Sequence, residues 1–421
     1  MNRVLIISYY FPPRPGVGGL RPYGLAKYLP HFGWEPIILT AKLPYMDKTG
    51  FKIIETEYPG DVTDLLKKKL RLEAEVALRE QIKLPNKVRG KKNSSFNKII
   101  NIIKTFVCYP DDQKYWLKHA IKAGDYLLRS EKIDAIISTS GPVTCHMIAN
   151  ELKSKYKKKW IADFRDLWTQ NHYYPYAKPR MIIERNLERR TLTNADLLVT
   201  VSEPWAINLR SLHSNKRVIA IPNGYDFEST VFNTELTRNF SITYTGQLYQ
   251  GKRDPSNLFI AIKELVSKQI IERSKIKIRF YGPKETWLQN EVDQLGLSDV
   301  VEINGYVPRD VSLKKQRESQ ILLILNWNHP GEKGTVTAKV FEYLAAKRPI
   351  LAIGGPKGAL SNLLEETGAG YHASDLSDVR DCLIHLYGLY KEYGFVPFGG
   401  NENKIYQYSQ LKMAERFAQV L

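Results

Sequence analysis

The stretch VLIIS (Val4–Ser8), followed by FPPRPGVGGLR (Phe11–Arg21) and a helical pattern through Leu25, Tyr28 and Leu29, decides how the chain is read. A short apolar run, a glycine-bearing loop and an amphipathic helix make up the opening of a β-α-β unit. Paired glycines at Gly18 and Gly19 let backbone N–H groups approach a ligand, and the helix start offers partial positive charge to a phosphate. The other reading is a turn whose glycines serve geometry alone; Arg21, just beyond them, favours an anion. The loop is not the three-glycine dinucleotide fingerprint, and the second strand ends IILT with no acidic residue, which disfavours NAD.

The same rhythm runs on from this unit. Strands are predicted at Val4–Ser8, Pro36–Thr40, Ala135–Ser138, Trp160–Phe164 and Leu197–Val201. A second series follows at Ser241–Thr245, Lys277–Tyr281, Val301–Asn304, Ile321–Leu325 and Pro349–Ile353, with helical patterns between members. The expected fold is α/β, with two doubly wound Rossmann-like domains, residues 1–225 and 226–385, joined at the turn-rich Pro222–Asp226. The length of 421 residues suits two cores, and 43% hydrophobic with 25% charged residues is ordinary globular composition.

No run of apolar residues is long enough to span a membrane, and no cleavage-site pattern follows the first strand, so a cytoplasmic protein is expected. Cys108, Cys145 and Cys382 are far apart and in no ligand spacing, which suggests neither disulfide nor zinc. The net charge of +18, from 62 basic and 44 acidic residues, attracts polyanions without naming them. Part of it lies in Asp61–Lys104, a Leu-, Lys- and Arg-rich stretch with 12 basic against 5 acidic residues, and part in Lys153–Lys159. These read either as a face resting on anionic lipid or as solvated helix surface. Aromatic residues do not interleave with the cations, which argues against nucleic acid.

Three further stretches carry candidate chemistry. In WIADFRDLW (Trp160–Trp168) a strand ends in Asp163, Arg165 and Asp166, with Trp168 behind, where open α/β sheets bind ligands; an internal Asp–Arg pair is the plainer alternative. TGQLYQGKRDP (Thr245–Pro255) places Gly246, Gln247, Lys252 and Arg253 above the second sheet, where the two cations could neutralise a diphosphate. GEKGTVTAKVFEYLAAKRPIL (Gly331–Leu351) opens a helix at Gly334 and Thr335 and sets Glu342 near its middle, suited to ribose hydroxyls or simply to water.

In this order the four stretches, with VSEPW and IPNGYD between them, resemble the retaining glycosyltransferases of family 4, of GT-B fold, and in particular bacterial members that build exopolysaccharide, capsule or O-antigen. The resemblance spans residues 1 to about 375. It implies two domains facing a cleft, a nucleotide-sugar on the second and an acceptor on the first, with residues beyond about 385 bracing the first. By that resemblance Gly18 and Gly19 lie against donor phosphates or the transferred sugar, Lys252 and Arg253 hold the diphosphate, and Glu342 binds ribose. Gly282, Tyr306 and Val307 border the base; Gly246, Gln247, Gly334 and Thr335 complete the donor site. Arg21, Asp163 and Trp168 are expected at the acceptor, and Arg165 and Asp166 near the chemistry.

Three departures stand out. Gly334 replaces the first Glu of the family's pair, with Glu332 close by; Gln247 stands where many relatives have Arg; and a His ending the Trp160–Phe164 strand is absent, Arg165 or Asp166 taking its place. The expected activity is transfer from a UDP- or GDP-sugar to a lipid-linked or saccharide acceptor at the inner membrane, without metal. The rivals are a GT-B sugar-nucleotide epimerase and a non-catalytic binding or scaffold protein.

Overall fold

The computed structural model describes residues 1–14, 16–44, 50–69, 108–173, 177–230, 234–249 and 251–421. Most of the basic stretch Asp61–Lys104, from residue 70 onward, therefore lies outside the described residues. Two compact units are present: Met1–Gly224 together with Gln410–Leu421, and Tyr225–Ser409. Residues 386–409 thus belong with the second unit, and the last twelve positions with the first.

The first unit is built on β1 (Asn2–Ile7), β2 (Trp34–Ala41), β3 (Lys52–Thr56), β4 (Ala135–Ser140), β5 (Lys159–Phe164), β6 (Leu197–Thr200) and β7 (Val218–Ala220). The second uses β8 (Phe240–Thr245), β9 (Ile276–Tyr281), β10 (Val301–Gly305), β11 (Ile321–Leu325), β12 (Ile350–Ile353) and β13 (Gly370–Ala373). The strand orders are β3-β2-β1-β4-β5-β6-β7 and β10-β9-β8-β11-β12-β13, and the pairings are parallel. Both are the doubly wound order, in which the chain leaves the central strand first one way and then the other. The order reverses between β1 and β4 in one unit and between β8 and β11 in the other, which leaves a crevice at those carboxyl ends.

Interior strands are apolar along their length because helices cover both faces of a parallel sheet. Ile6 stands opposite Ile38 and Ile137, and Ile242 opposite Ile278 and Ile321, all six positions being fully buried. Each unit keeps its own core: Trp116, Trp160 and Trp168 fill the first, and Phe240, Phe259 and Tyr387 part of the second. The chain returns to the first unit through the helix Gln410–Ala418, which packs on the helix Leu20–Tyr28. There Gly24 leaves room for Gln410: a Cβ on Gly24 would lie 2.7 Å from Gln410 Cδ. No described helix is long and apolar enough to cross a membrane.

Candidate functional site

In the first unit, the loop after β1 is fastened to the end of β5. Arg165 Nη1 donates to the Gly18 carbonyl and its Nη2 to the Gly141 carbonyl at 3.1 Å, so one guanidinium joins the loops that follow β1, β4 and β5. A Cβ on Gly18 would stand 2.8 Å from Arg165 Nη1, so a larger residue there would have to displace the guanidinium. Gly19 is buried in the same turn. Asp166 is more than half exposed and only 3.5 Å from Arg165 Nε, a long and weak contact.

Arg21 and Asp163 are used on each other. Arg21 Nε reaches both carboxylate oxygens, at 3.1 and 2.9 Å, and Nη2 reaches Oδ1 at 2.8 Å. Thr139 Oγ1 donates to the same carboxylate at 2.9 Å, and Arg21 Nη1 donates to the Pro222 carbonyl and Asn223 Oδ1. The Phe417 ring lies 5.2 Å from the guanidinium carbon. With side chains 1% and 0% exposed, the pair offers no surface to an acceptor in this conformation. Two charges taken so fully from water persist only when hydrogen bonds satisfy the fork, as they do here. Trp168, expected beside the acceptor, is likewise 0% exposed within the core.

Beneath β4 and β5, Trp160 Nε1 donates to Ser138 Oγ at 2.8 Å and Ser138 meets His146 Nδ1 at 2.7 Å. His146 is fully buried against Phe164, and burial holds its pKa down at about 3. A neutral imidazole is the consequence. Asp111, whose carboxylate accepts from the Thr144 amide at 2.8 Å and its hydroxyl at 2.7 Å, is pushed up to about 6 by burial against the pull of those bonds.

The second unit gathers its candidates at the β8/β11 crevice. Gly246 and Gly282 end β8 and β9 with their backbones in contact: Gly246 N donates to the Tyr281 carbonyl, and a Cβ on Gly282 would fall 2.2 Å from Gly246 O. That closeness brings the loops after the two strands together. Lys252 Nζ lies 4.3 Å above the Trp327 ring, so the loop after β8 meets the loop after β11. Arg253 is 8% exposed and stacks on Tyr249 at 4.7 Å. Cations over ring faces are held by the ring quadrupole.

Around them, Gln247 Nε2 donates to the exposed Tyr306 hydroxyl at 3.2 Å, and Val307 is partly buried behind it. A cavity of about 340 Å³ is lined by Gln247, Tyr249, Lys252, Pro283 and Glu285. Glu342, on the helix Ala338–Ala346, takes Arg309 Nη1 at 2.8 Å and Gln316 Nε2 at 3.3 Å, leaving its side chain 18% exposed. Gly334 and Glu332 are buried in the turn Pro330–Gly334, and Thr335 follows with its amide on the Glu332 carbonyl at 2.8 Å. The structure therefore brings Gly246, Gln247, Lys252, Arg253, Gly282 and Tyr306 to one edge of the second sheet.

Sequence reading missed the aromatic partners Tyr249 and Trp327, the Tyr244 hub beneath them, and Lys339. Tyr244 hydroxyl donates to the Gln247 carbonyl at 2.7 Å and receives Lys339 Nζ at 2.8 Å; burial pushes its pKa up to about 12. Lys339 had one legible signal, its spacing of three from Glu342, which puts both on one helix face.

The Glycosyltransferase Family 4 model matches residues 76–229. No curated protein matches the chain. Among solved structures, sucrose-phosphate synthase from Thermosynechococcus elongatus is similar at a TM-score of 0.65 and 12% identity, over 100% of this chain and 98% of that one. Anabaena Alr3699/HepE in complex with UDP is similar at 0.60 and 10%, over 100% and 99%. The E. coli trehalose-6-phosphate structure bound with UDP-2-fluoro glucose is similar at 0.62 and 12%, over 100% and 98%. At such identities these are likenesses of fold. Residues 76–229 thus match the family 4 glycosyltransferase model, and the two parallel doubly wound sheets give the chain the GT-B fold of the similar structures.

Proposed function

We propose that the protein moves a hexosyl or N-acetylhexosaminyl group from a UDP- or GDP-sugar to a lipid-linked or saccharide acceptor in bacterial surface polysaccharide synthesis, with retention of anomeric configuration. The observation that carries the donor half is the meeting of Lys252 with Trp327 across the β8/β11 crevice, beside the Gly246–Gly282 backbone contact. Open α/β sheets bind their ligands at this reversal of strand order. Two of the similar structures hold UDP or a UDP-sugar, which favours uridine over guanosine.

In this reading the bond from the anomeric carbon to the diphosphate breaks, the acceptor oxygen bonds to that carbon, and the acceptor proton passes to a phosphate oxygen of the leaving group. Lys252 and Arg253 stabilise the growing diphosphate charge, and Glu342 meets the ribose hydroxyls. Gly334 and Thr335 border the phosphates. Gln247 and Tyr306 flank the nucleoside, with Gly282 and Val307 beside it. In the first unit Arg165 fixes the loop of Gly18 and Gly19, and the exposed Asp166 is the charged group left to meet an acceptor. No metal is invoked.

A thermal-shift series of UDP-glucose, UDP-N-acetylglucosamine and GDP-mannose on wild type and Lys252→Ala tests the donor site. Stabilisation of wild type by one nucleotide sugar, reduced in the variant, is expected; an equal response from both proteins, or none from wild type, sinks it. Peripheral attachment to the inner membrane through the basic stretch is part of the same proposal. Its check is flotation with anionic and neutral vesicles, where equal recovery from both would exclude an electrostatic anchor.

A further inference from the structure

Lys339 occupies a place that its immediate neighbours do not explain. It sits in the first turn of the helix Ala338–Ala346, with its side chain folded over the Tyr244 ring at 4.0 Å and Nζ on the Tyr244 hydroxyl at 2.8 Å. Its tip lies against the backbone at the end of β8, since a Cβ on Gly246 would stand 2.7 Å from Nζ. Among the described residues it makes no ion pair. Glu342, one turn along, is engaged by Arg309 and Gln316, and the other cation near Lys339 is Arg253, which repels it. An ammonium withdrawn from water beside a phenol and a guanidinium carries an unmet cost.

Two hydroxyls just upstream share this condition. Thr335 Oγ1 and Thr337 Oγ1 are shielded from solvent and have no hydrogen-bond partner. Buried polar atoms are seldom left so, and a ligand is one reason for an exception. Both precede the helix whose opening amides also favour negative charge.

We propose that Lys339 is a phosphate-binding residue of the donor site, its ammonium, with the Thr335 and Thr337 hydroxyls, holding the diphosphate of the nucleotide. The proposal rests on the donor reading above and adds to it a cation that the sequence motifs did not supply. Its consequence is a coupling to protons. Burial first, then Arg253, holds the Lys339 pKa well below that of a free lysine, while Glu342 acts the other way and the Tyr244 phenol stays neutral. An arriving diphosphate reverses the balance, so the amine takes a proton from solvent as the anion binds. Binding tightens as the pH falls from the ordinary lysine range toward neutrality, where the diphosphate keeps most of its charge.

Calorimetry of UDP and of inorganic pyrophosphate, in two buffers of different ionisation enthalpy, tests this on wild type, Lys339→Met and Lys339→Arg. Lys339→Met is expected to lose about ten- to a hundredfold in affinity for both probes, with Lys339→Arg recovering part. Net proton uptake is expected in wild type and not in Lys339→Met. Should Lys339→Met fold poorly, the pH dependence of wild type alone decides: affinity unchanged across that range, with no buffer dependence of the enthalpy, overturns the proposal. UDP binding equally to wild type and Lys339→Met removes Lys339 and leaves the donor site standing. Pyrophosphate binding that depends on Lys339, with no binding of UDP or of GDP titrated beside it, keeps the phosphate site and removes the nucleotide reading. If wild type binds none of the probes, both fall.

Discussion

The crests of the two sheets solve the same problem in opposite ways. In the first unit the charged groups near the strand ends are spent on protein: Arg21 on Asp163, Arg165 on two carbonyls, Asp111 on the start of a helix. In the second, Lys252, Arg253 and Lys339 lie on the faces of Trp327, Tyr249 and Tyr244. An aromatic face holds a cation in position at little electrostatic cost to a later anion. One crest is thus laced by arginine bonds to carboxylate and carbonyl groups, and the other sets its cations on ring faces.

The contrast breaks first at Asp163. Asp163→Asn leaves Arg21 buried without its counter-charge and is expected to cost about 3–5 kcal/mol in urea unfolding of the first unit. A loss below about 1 kcal/mol would show the pair to be dispensable. Acid supplies the next test. Because burial depresses His146, its contribution is present above the ordinary histidine pKa and is lost as pH falls toward about 3. Replacing His146 with Gln should flatten the acid limb of the stability–pH curve by a few kcal/mol. An unchanged limb would assign it to other groups.

Smaller effects sharpen the other side. Lys252→Ala should alter unfolding by less than about 1 kcal/mol yet weaken UDP about tenfold in calorimetry, separating binding from stability in a way no first-unit change should. A stability loss equal to that of Asp163→Asn would erase the distinction. Tyr306→Phe, which removes only the acceptor of an exposed Gln247 bond, should shift stability by less than about 0.5 kcal/mol and UDP affinity by less than about threefold. A larger loss would give that hydroxyl a direct part in the nucleoside contact.

Much of the fold was legible because interior parallel strands are written as continuous apolar runs. Ten strands were read in place. The three missed, Lys52–Thr56, Val218–Ala220 and Gly370–Ala373, all lie at sheet edges, where a half-exposed strand such as KIIET needs no such run. At the site, the glycine loops and Lys252 could be seen because they are local signals. The Arg21–Asp163 pair joins positions 142 apart, and Lys339–Tyr244 joins positions 95 apart. Neither partnership is encoded in spacing; each follows from which strands neighbour in the sheet. The same reason hid the burial of Arg21, since a loop arginine after glycines reads as an anion ligand until its carboxylate is placed.

The helix Gln410–Ala418 puts Phe417 under the Arg21 guanidinium and Gln410 against Gly24. During synthesis the first unit therefore waits, its Arg21 face uncovered, while the whole of Tyr225–Ser409 is translated and folds on its own core. Only when residues past Phe417 have emerged from the ribosome can that face close. The polypeptide that begins folding first is the one finished last.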